Sequence, residues 1–130
     1  MSVKIADLMA DNVVTAHGHH SLDHVRGLME RNNISAVPVV DSEGEPIGIV
    51  TTSDLLADRK GGTPISKFMA EGVAAAPQYN DASVAARMMR KRKIHHVLVT
   101  HEKKVVGIIS SFDLLKLVED HKFALKNGKK

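Results

Sequence analysis

Thr51 and Asp54 stand three residues apart, and Ser110 and Asp113 repeat that arrangement later in the chain. An ionised carboxylate accepts hydrogen bonds at charge-assisted strength and can take two at once from neighbouring hydroxyls of a sugar. A hydroxyl three residues earlier, at a strand end, could face the same sugar or a phosphate. The plainer use of Thr/Ser-x-x-Asp is to start a helix, whose N-terminal dipole also favours an acidic side chain. Four residues alone leave both readings open. A second set is His95-His96, which follows the densest positive run, Arg87 with Arg90-Lys91-Arg92-Lys93. Such a run could meet nucleic acid phosphate, yet three Phe, one Tyr and no Trp leave few rings for base stacking. A solvated helix face is the expected role, with part of the run lending positive potential to a nearby site. The third set is His17, His19 and His20, with His24 one turn on. Neutral imidazoles bind Zn²⁺ or Ni²⁺ well. Three of them in one short loop do not fix a tetrahedron, and no thiolate or carboxylate stands at a diagnostic spacing. A polar loop leading into a helix cap is expected there, and no metal site is assigned.

No catalytic constellation is present in the sequence. It has no Cys, no Gly-rich phosphate loop ending in Lys-Ser/Thr, no His-Glu-x-x-His and no Gly-x-Ser-x-Gly. An enzyme is not expected.

The elements that must position these residues can be read because the chain is written twice. Residues 5–41 realign on 65–101, and residues 45–56 realign on 104–115. Ile5 matches Ile65, Met29 matches Met89 and Val37 matches Val97, and each copy closes on Gly-Ile-Val/Ile-Thr/Ser-Thr/Ser, then Asp-Leu-Leu. Ser21 caps a helix running to Asn32 or Asn33, with Leu22, Val25, Leu28 and Met29 at helical spacing. Asp81 takes the cap position in the second copy, with Ala82, Ala85, Met88 and Met89 on the stripe. Strands follow at Val37–Val40 and Ile47–Thr51, joined through Asp41-Ser42-Glu43-Gly44-Glu45 as a hairpin. The second hairpin is Val97–Val99 and Val105–Ile109. Thr52 or Ser53 is expected to cap a helix from Asp54, and Ser111 the equivalent helix before Asp113. A helical turn around Ile5–Met9 and a short β segment near Val13-Val14 precede the first long helix. The unit is β-α-β-β-α, the class α+β, and Asp58–Thr63 the linker. Repeats of about this size stack on one another to bury a shared core. Residues 1–60 form the first repeat and 61–122 the second, with 123–130 a basic flexible tail.

A tandem β-α-β-β-α unit ending in Gly-aliphatic-aliphatic-Thr/Ser-x-x-Asp resembles the cystathionine-β-synthase (CBS) domain family, and a pair of units resembles its Bateman module. The likeness spans nearly all of residues 3–121. It implies sheets packed pseudo-two-fold symmetrically, two clefts between the repeats, homodimerisation, and a regulatory role for an adenine nucleotide or adenosyl ligand. It also implies that Asp54 and Asp113 hold ribose. Val14-Thr15 and Ala74-Ala75 would then supply backbone groups and an apolar wall for a purine. In the family a His-Arg pair opening one hairpin contacts the phosphate of the ligand held by the other repeat's Asp. Here His95 matches the His and His96 replaces the Arg, while Ser35 and Ala36 bring no cation to the equivalent place. The clefts are therefore expected to differ. Asp54 and Thr51 opposite His95-His96 should prefer phosphorylated ligands. Asp113 and Ser110 opposite Ser35-Ala36 should hold an uncharged nucleoside, a sulfonium cofactor or nothing.

Composition is consistent with this picture. Hydrophobic residues make up 43% and charged residues 25% of 130, ordinary for a globular domain. The apolar runs are too short for a membrane span, and the start lacks a signal peptide's tract. Lack of cysteine fits a reducing cytoplasm. No obligatory cofactor is expected, although magnesium could accompany a nucleotide. The partners are then an adenosyl small molecule, a second copy and an unidentified regulated protein, with no membrane. The competing reading is a ligand-free dimerisation or interaction scaffold, and nucleic-acid binding ranks below it.

Overall fold

The computed structural model of the protein describes residues 2–128, with side chains described as far as Glu119. The first half contains α1 (Ile5–Leu8), α2 (Leu22–Asn32), β1 (Ala36–Val40), β2 (Pro46–Thr51) and α3 (Thr52–Leu55). A 3₁₀ turn at Ile65–Lys67 leads into β3 (Ala75–Pro77), α4 (Ala82–Arg92), β4 (His96–His101), β5 (Lys104–Ser110) and α5 (Ser111–Gly128). The expected α+β class and twofold repetition of elements are both present.

The long helices begin where their caps dictate. Ser21 Oγ accepts from the His24 amide at 3.1 Å, and Asp81 Oδ1 accepts from the Ser83 amide at 2.9 Å. One face is then buried: Leu22, Val25 and Met29 in α2, and Ala82, Ala85 and Met89 in α4. Both helices stop on a left-handed residue, Asn33 (φ 52°) and Lys93 (φ 56°). β1 is buried along its whole length and pairs antiparallel with β2. Asp41 Oδ1 closes that hairpin by accepting from the Glu43 and Glu45 amides. β4 and β5 form the equivalent hairpin, and β3 adds to β4 in parallel.

Two sequence expectations need correction. The first β segments pair later than Val13-Val14: Ala16 makes a single parallel bridge to Val39, and the matching strand is Ala75–Pro77. Residues 12–14 run along a cavity and have no strand beside them. The helix caps also lie earlier than expected, at Thr51 instead of Thr52 or Ser53. Ser110 takes the same place before α5, since its Oγ accepts from the Asp113 amide at 3.1 Å. Helix and strand meet there without a connecting residue.

The halves exchange their leading segments. Ile5 and Leu8 lie in the core made by Ala74, Ala76, Ala85, Val97, Val99 and Ile109. Conversely, Ile65 lies in the core of Ala16, Val25, Val37, Val39 and Val50, with Phe68 and Met69 packed on it. Backbone pairs fasten each exchange. Ala10 and Ile108 trade both hydrogen bonds, at 2.9 and 3.1 Å, and Ala70 and Ile49 trade theirs at 3.1 Å. The glycine before each of these strand residues permits the approach. A Cβ on Gly48 would lie 2.6 Å from Met69 Sδ, and one on Gly107 would lie 2.7 Å from Met9 Sδ and 2.8 Å from the Ala10 carbonyl oxygen. The expected basic tail at 123–130 falls where side chains lie outside the described residues, and Lys129 and Lys130 lie outside them altogether.

Candidate ligand clefts

Two cavities open between the halves, and each takes residues from both. The first, of about 550 Å³, is lined by Thr51 and Asp54 from one repeat and by Ala74, Arg92, Lys93, His95 and His96 from the other. The second, of about 680 Å³, brings Ser110 and Asp113 together with Val14, Ser35 and Ala36. Both volumes lie within the range of small-molecule sites. Thr15 and Ala75 line neither cavity; Val13-Val14 and Val73-Ala74 form the corresponding walls.

The carboxylates are held alike but left unequally free. Asp54 Oδ2 accepts from the Thr51 amide at 2.8 Å, and Asp113 Oδ2 accepts from the Ser110 amide at 2.9 Å. One oxygen of each is therefore used in a capping box, so the structural use of these acids is real. The other oxygen differs. Asp113 Oδ1 lies 3.6 Å from Lys116 Nζ, one turn along α5. Asp54 Oδ1 makes no side-chain ion pair or hydrogen bond among the described residues. α3 is a single turn, and Ala57 stands where Lys116 stands in the longer helix. Arg59 closes that turn by donating to the Asp54 carbonyl oxygen at 2.7 Å, with its guanidinium 4.3 Å over the Phe68 ring.

The cavities also differ in charge. Arg92, Lys93, His95 and His96 line the Asp54 cleft, together with the carboxylate of Glu71. Arg92 Nη1 donates to the carbonyl oxygen of Gly72, which lines the same cleft, at 3.1 Å. Among the described residues no Lys or Arg lines the Asp113 cleft; Asn32 and Asn33 stand where Arg92 and Lys93 stand in the other, and Asn12 where Gly72 stands. Half-burial pushes the His96 imidazole below its ordinary value, the neighbouring His95 adds to this, and Asp113 partly opposes it.

The histidines at 17–24 form a separate cluster. His20 is its hub, with ring centroids 4.2 Å from His24, 4.5 Å from His19 and 5.6 Å from His17. Its Nδ1 accepts from the His17 amide at 2.9 Å, so its proton sits on Nε2. Metal ligation through Nε2 would require that proton to move and the hydrogen bond to break. Burial and the three neighbouring imidazoles hold His20 below its ordinary pKa.

The CBS domain pattern matches this chain twice, over residues 5–61 and 65–120. The chain belongs to the CBS domain family. It is 31% identical to the protein MJ1404 of Methanocaldococcus jannaschii over 92% of its own length. The chain spans about a third or less of the curated relatives it matches, 32% of that one and 23% of an L-aspartate semialdehyde sulfurtransferase of the same organism. Among solved structures, a putative acetoin utilization protein (AcuB) from Vibrio cholerae superposes with a TM-score of 0.82 at 27% identity, covering 98% of each chain. The CBS domain pair of protein MJ0100, in complex with 5′-methylthioadenosine and S-adenosyl-L-methionine, superposes at 0.81 with 27% identity, covering 100% of each chain.

Within this CBS pair, the cavities unite residues from distant parts of the sequence: Asp54 with His95 and His96, and Asp113 with Ser35 and Ala36. Sequence reasoning missed Glu71, Asn12 and the two asparagines that end α2. The available signal was position: Asn33 and Lys93 sit at matched helix ends that open onto matched cavities. Among the described residues no helix is long and apolar enough to cross a membrane.

Proposed function

We propose that this CBS pair is a regulatory module that binds an adenine nucleotide or adenosyl compound in its two inter-repeat clefts, and that the clefts have different preferences. The observation that carries this reading is the pairing across one cavity of a carboxylate with a free oxygen, Asp54, and a group of cations and imidazoles, Arg92, Lys93, His95 and His96. A carboxylate can hold a ribose diol while the opposite wall neutralises a phosphate. The Asp113 cleft keeps the carboxylate, ion-paired to Lys116, and none of its lining residues is a Lys or Arg, which suits a nucleoside without phosphate. The MJ0100 pair, similar over its whole length, carries two such adenosyl compounds. AMP or ATP would occupy the Asp54 cleft, and 5′-methylthioadenosine or S-adenosylmethionine the other.

Occupancy would be passed on by a change in the angle between repeats or between two copies. A ligand shifts such an equilibrium only by its differential affinity for the two arrangements. Phe112, Leu115 and Val118 on α5, with Leu56, are exposed apolar side chains that offer a face for a second copy. Lack of cysteine is compatible with a reducing cytoplasm.

Calorimetric titration of ATP and of 5′-methylthioadenosine into the wild type, Asp54→Asn and Asp113→Asn tests the reading. ATP should lose at least about tenfold, roughly 1.4 kcal/mol, in Asp54→Asn and little in Asp113→Asn, with the nucleoside showing the reverse. Equal losses in both variants would refute the assignment of ligands to clefts. No binding of either ligand would favour the scaffold reading.

A further inference from the structure

His96 belongs to both clefts. Three residues line the two cavities in common, Ser35, Thr52 and His96, and only His96 can change its charge near neutral pH. The sheet explains the sharing. In the β4–β5 ladder His96 lies directly across from Ser110, the hydroxyl residue of the Asp113 cleft. In the β1–β2 ladder the same cross-strand place opposite Thr51 is held by Ala36, whose methyl group has no charge to change. Cross-strand neighbours lie about 4.5–5.5 Å apart, so a proton on His96 is felt at the ribose side of the second cleft. The groups facing it are His95, Arg92, Lys93, Asp54 and Glu71 in the first cleft, and Asp113 with its partner Lys116 in the second.

We propose that His96 couples the two clefts through one proton, so that a phosphorylated ligand at Asp54 selects against a cationic nucleoside at Asp113. This deepens the nucleotide reading above and rests on it. Without ligand the half-buried imidazole favours the neutral form. A phosphate in the first cleft stabilises the imidazolium. That cation also faces the second cleft, where it pairs with Asp113 and repels a sulfonium centre. A neutral thioether of the same shape meets no such repulsion. Coupling between sites is reciprocal, so the sulfonium ligand weakens the phosphorylated one by the same factor. Steric crowding through Thr52 or Ser35 would instead affect cation and thioether alike.

The test measures Kd for S-adenosylmethionine and for 5′-methylthioadenosine at pH 7, each with and without saturating ATP. ATP should raise the first about five- to tenfold and the second less than about twofold. In His96→Gln the two factors should become equal. A second arm needs no variant: at pH 9 the imidazole stays neutral even beside a phosphate, so the difference should vanish in the wild type. Equal effects of ATP on both nucleosides at pH 7 would overturn the coupling and leave the nucleotide reading standing. So would a difference that survives in His96→Gln or at pH 9. Failure of all three compounds to bind would overturn both.

Discussion

Lys93 holds a left-handed backbone, φ 56° and ψ 47°, at the end of α4, and its side chain lines the Asp54 cleft. For a residue with a Cβ this conformation costs about 1 kcal/mol relative to glycine. Asn33, at the matching end of α2, is of a residue type that enters this region more readily than lysine. The second repeat thus accepts strain where it gains a cation. Lys93→Asn should leave stability equal or slightly raised, by under about 1 kcal/mol, while weakening ATP several-fold. Urea unfolding and calorimetry on the same preparation read both effects, and unchanged ATP affinity would remove Lys93 from the site. His96 gives a second expectation, on pH. Its folded-state pKa is lowered, so the unfolded chain takes up the proton first. The stability linked to this group is complete above the unfolded value near 6.5 and is lost as pH falls from there through the folded value. The urea midpoint of the wild type should therefore drop more steeply between pH 7.5 and 5.5 than that of His96→Gln. Equal slopes would mean that burial of this imidazole has no thermodynamic weight.

At the scale of elements, the exchanged segments decide which mutation harms which half. Ile5 is fully buried, but its neighbours are residues 74–109. Ile5→Ala should cost about 2–5 kcal/mol, and hydrogen exchange should rise in β3, β4 and β5 before it rises in β1 and β2. Exchange that rises first around β1 would contradict the swapped packing. Gly107→Ala should also destabilise, by about 1–3 kcal/mol, because the added methyl meets the Ala10 carbonyl, a backbone atom that cannot rotate away. The duplicated pattern made α2, α4 and both hairpins legible, since capping residues and apolar spacing act over a few positions. The exchange was not legible. It is carried by backbone bonds at Ala10 and Ala70, alanines with no distinctive side chain, and its trace in the motif is the glycine at 48 and 107. The β segment expected near Val13-Val14 forms instead at Ala16 and at Ala75–Pro77, because a strand needs a partner strand beside it. The repeat made Asp54 and Asp113 legible as candidates, and the family resemblance made His95-His96 so. The residues shared between clefts, Ser35, Thr52 and His96, were hidden, because it is the folding of the hairpins, such as the pairing of His96 with Ser110, that brings them to both cavities.

For the whole molecule, the exchange makes each half part of the other's core, so neither half should melt alone. A chain of 130 residues should show one calorimetric transition of about 90 kcal/mol, with equal calorimetric and van't Hoff enthalpies. A ligand for either cleft should then raise the midpoint of the entire transition instead of splitting it. At a hundred times Kd the native state gains about 2.7 kcal/mol, which for a chain of this length moves the midpoint by roughly 10 °C. ATP and 5′-methylthioadenosine added together should shift the midpoint by nearly the sum of their separate effects, because the thioether escapes the repulsion argued for the sulfonium. ATP with S-adenosylmethionine should fall short of the sum at pH 7 and approach it at pH 9. Two transitions, one of them insensitive to either ligand, would mean that the halves fold independently and that packing between them transmits nothing.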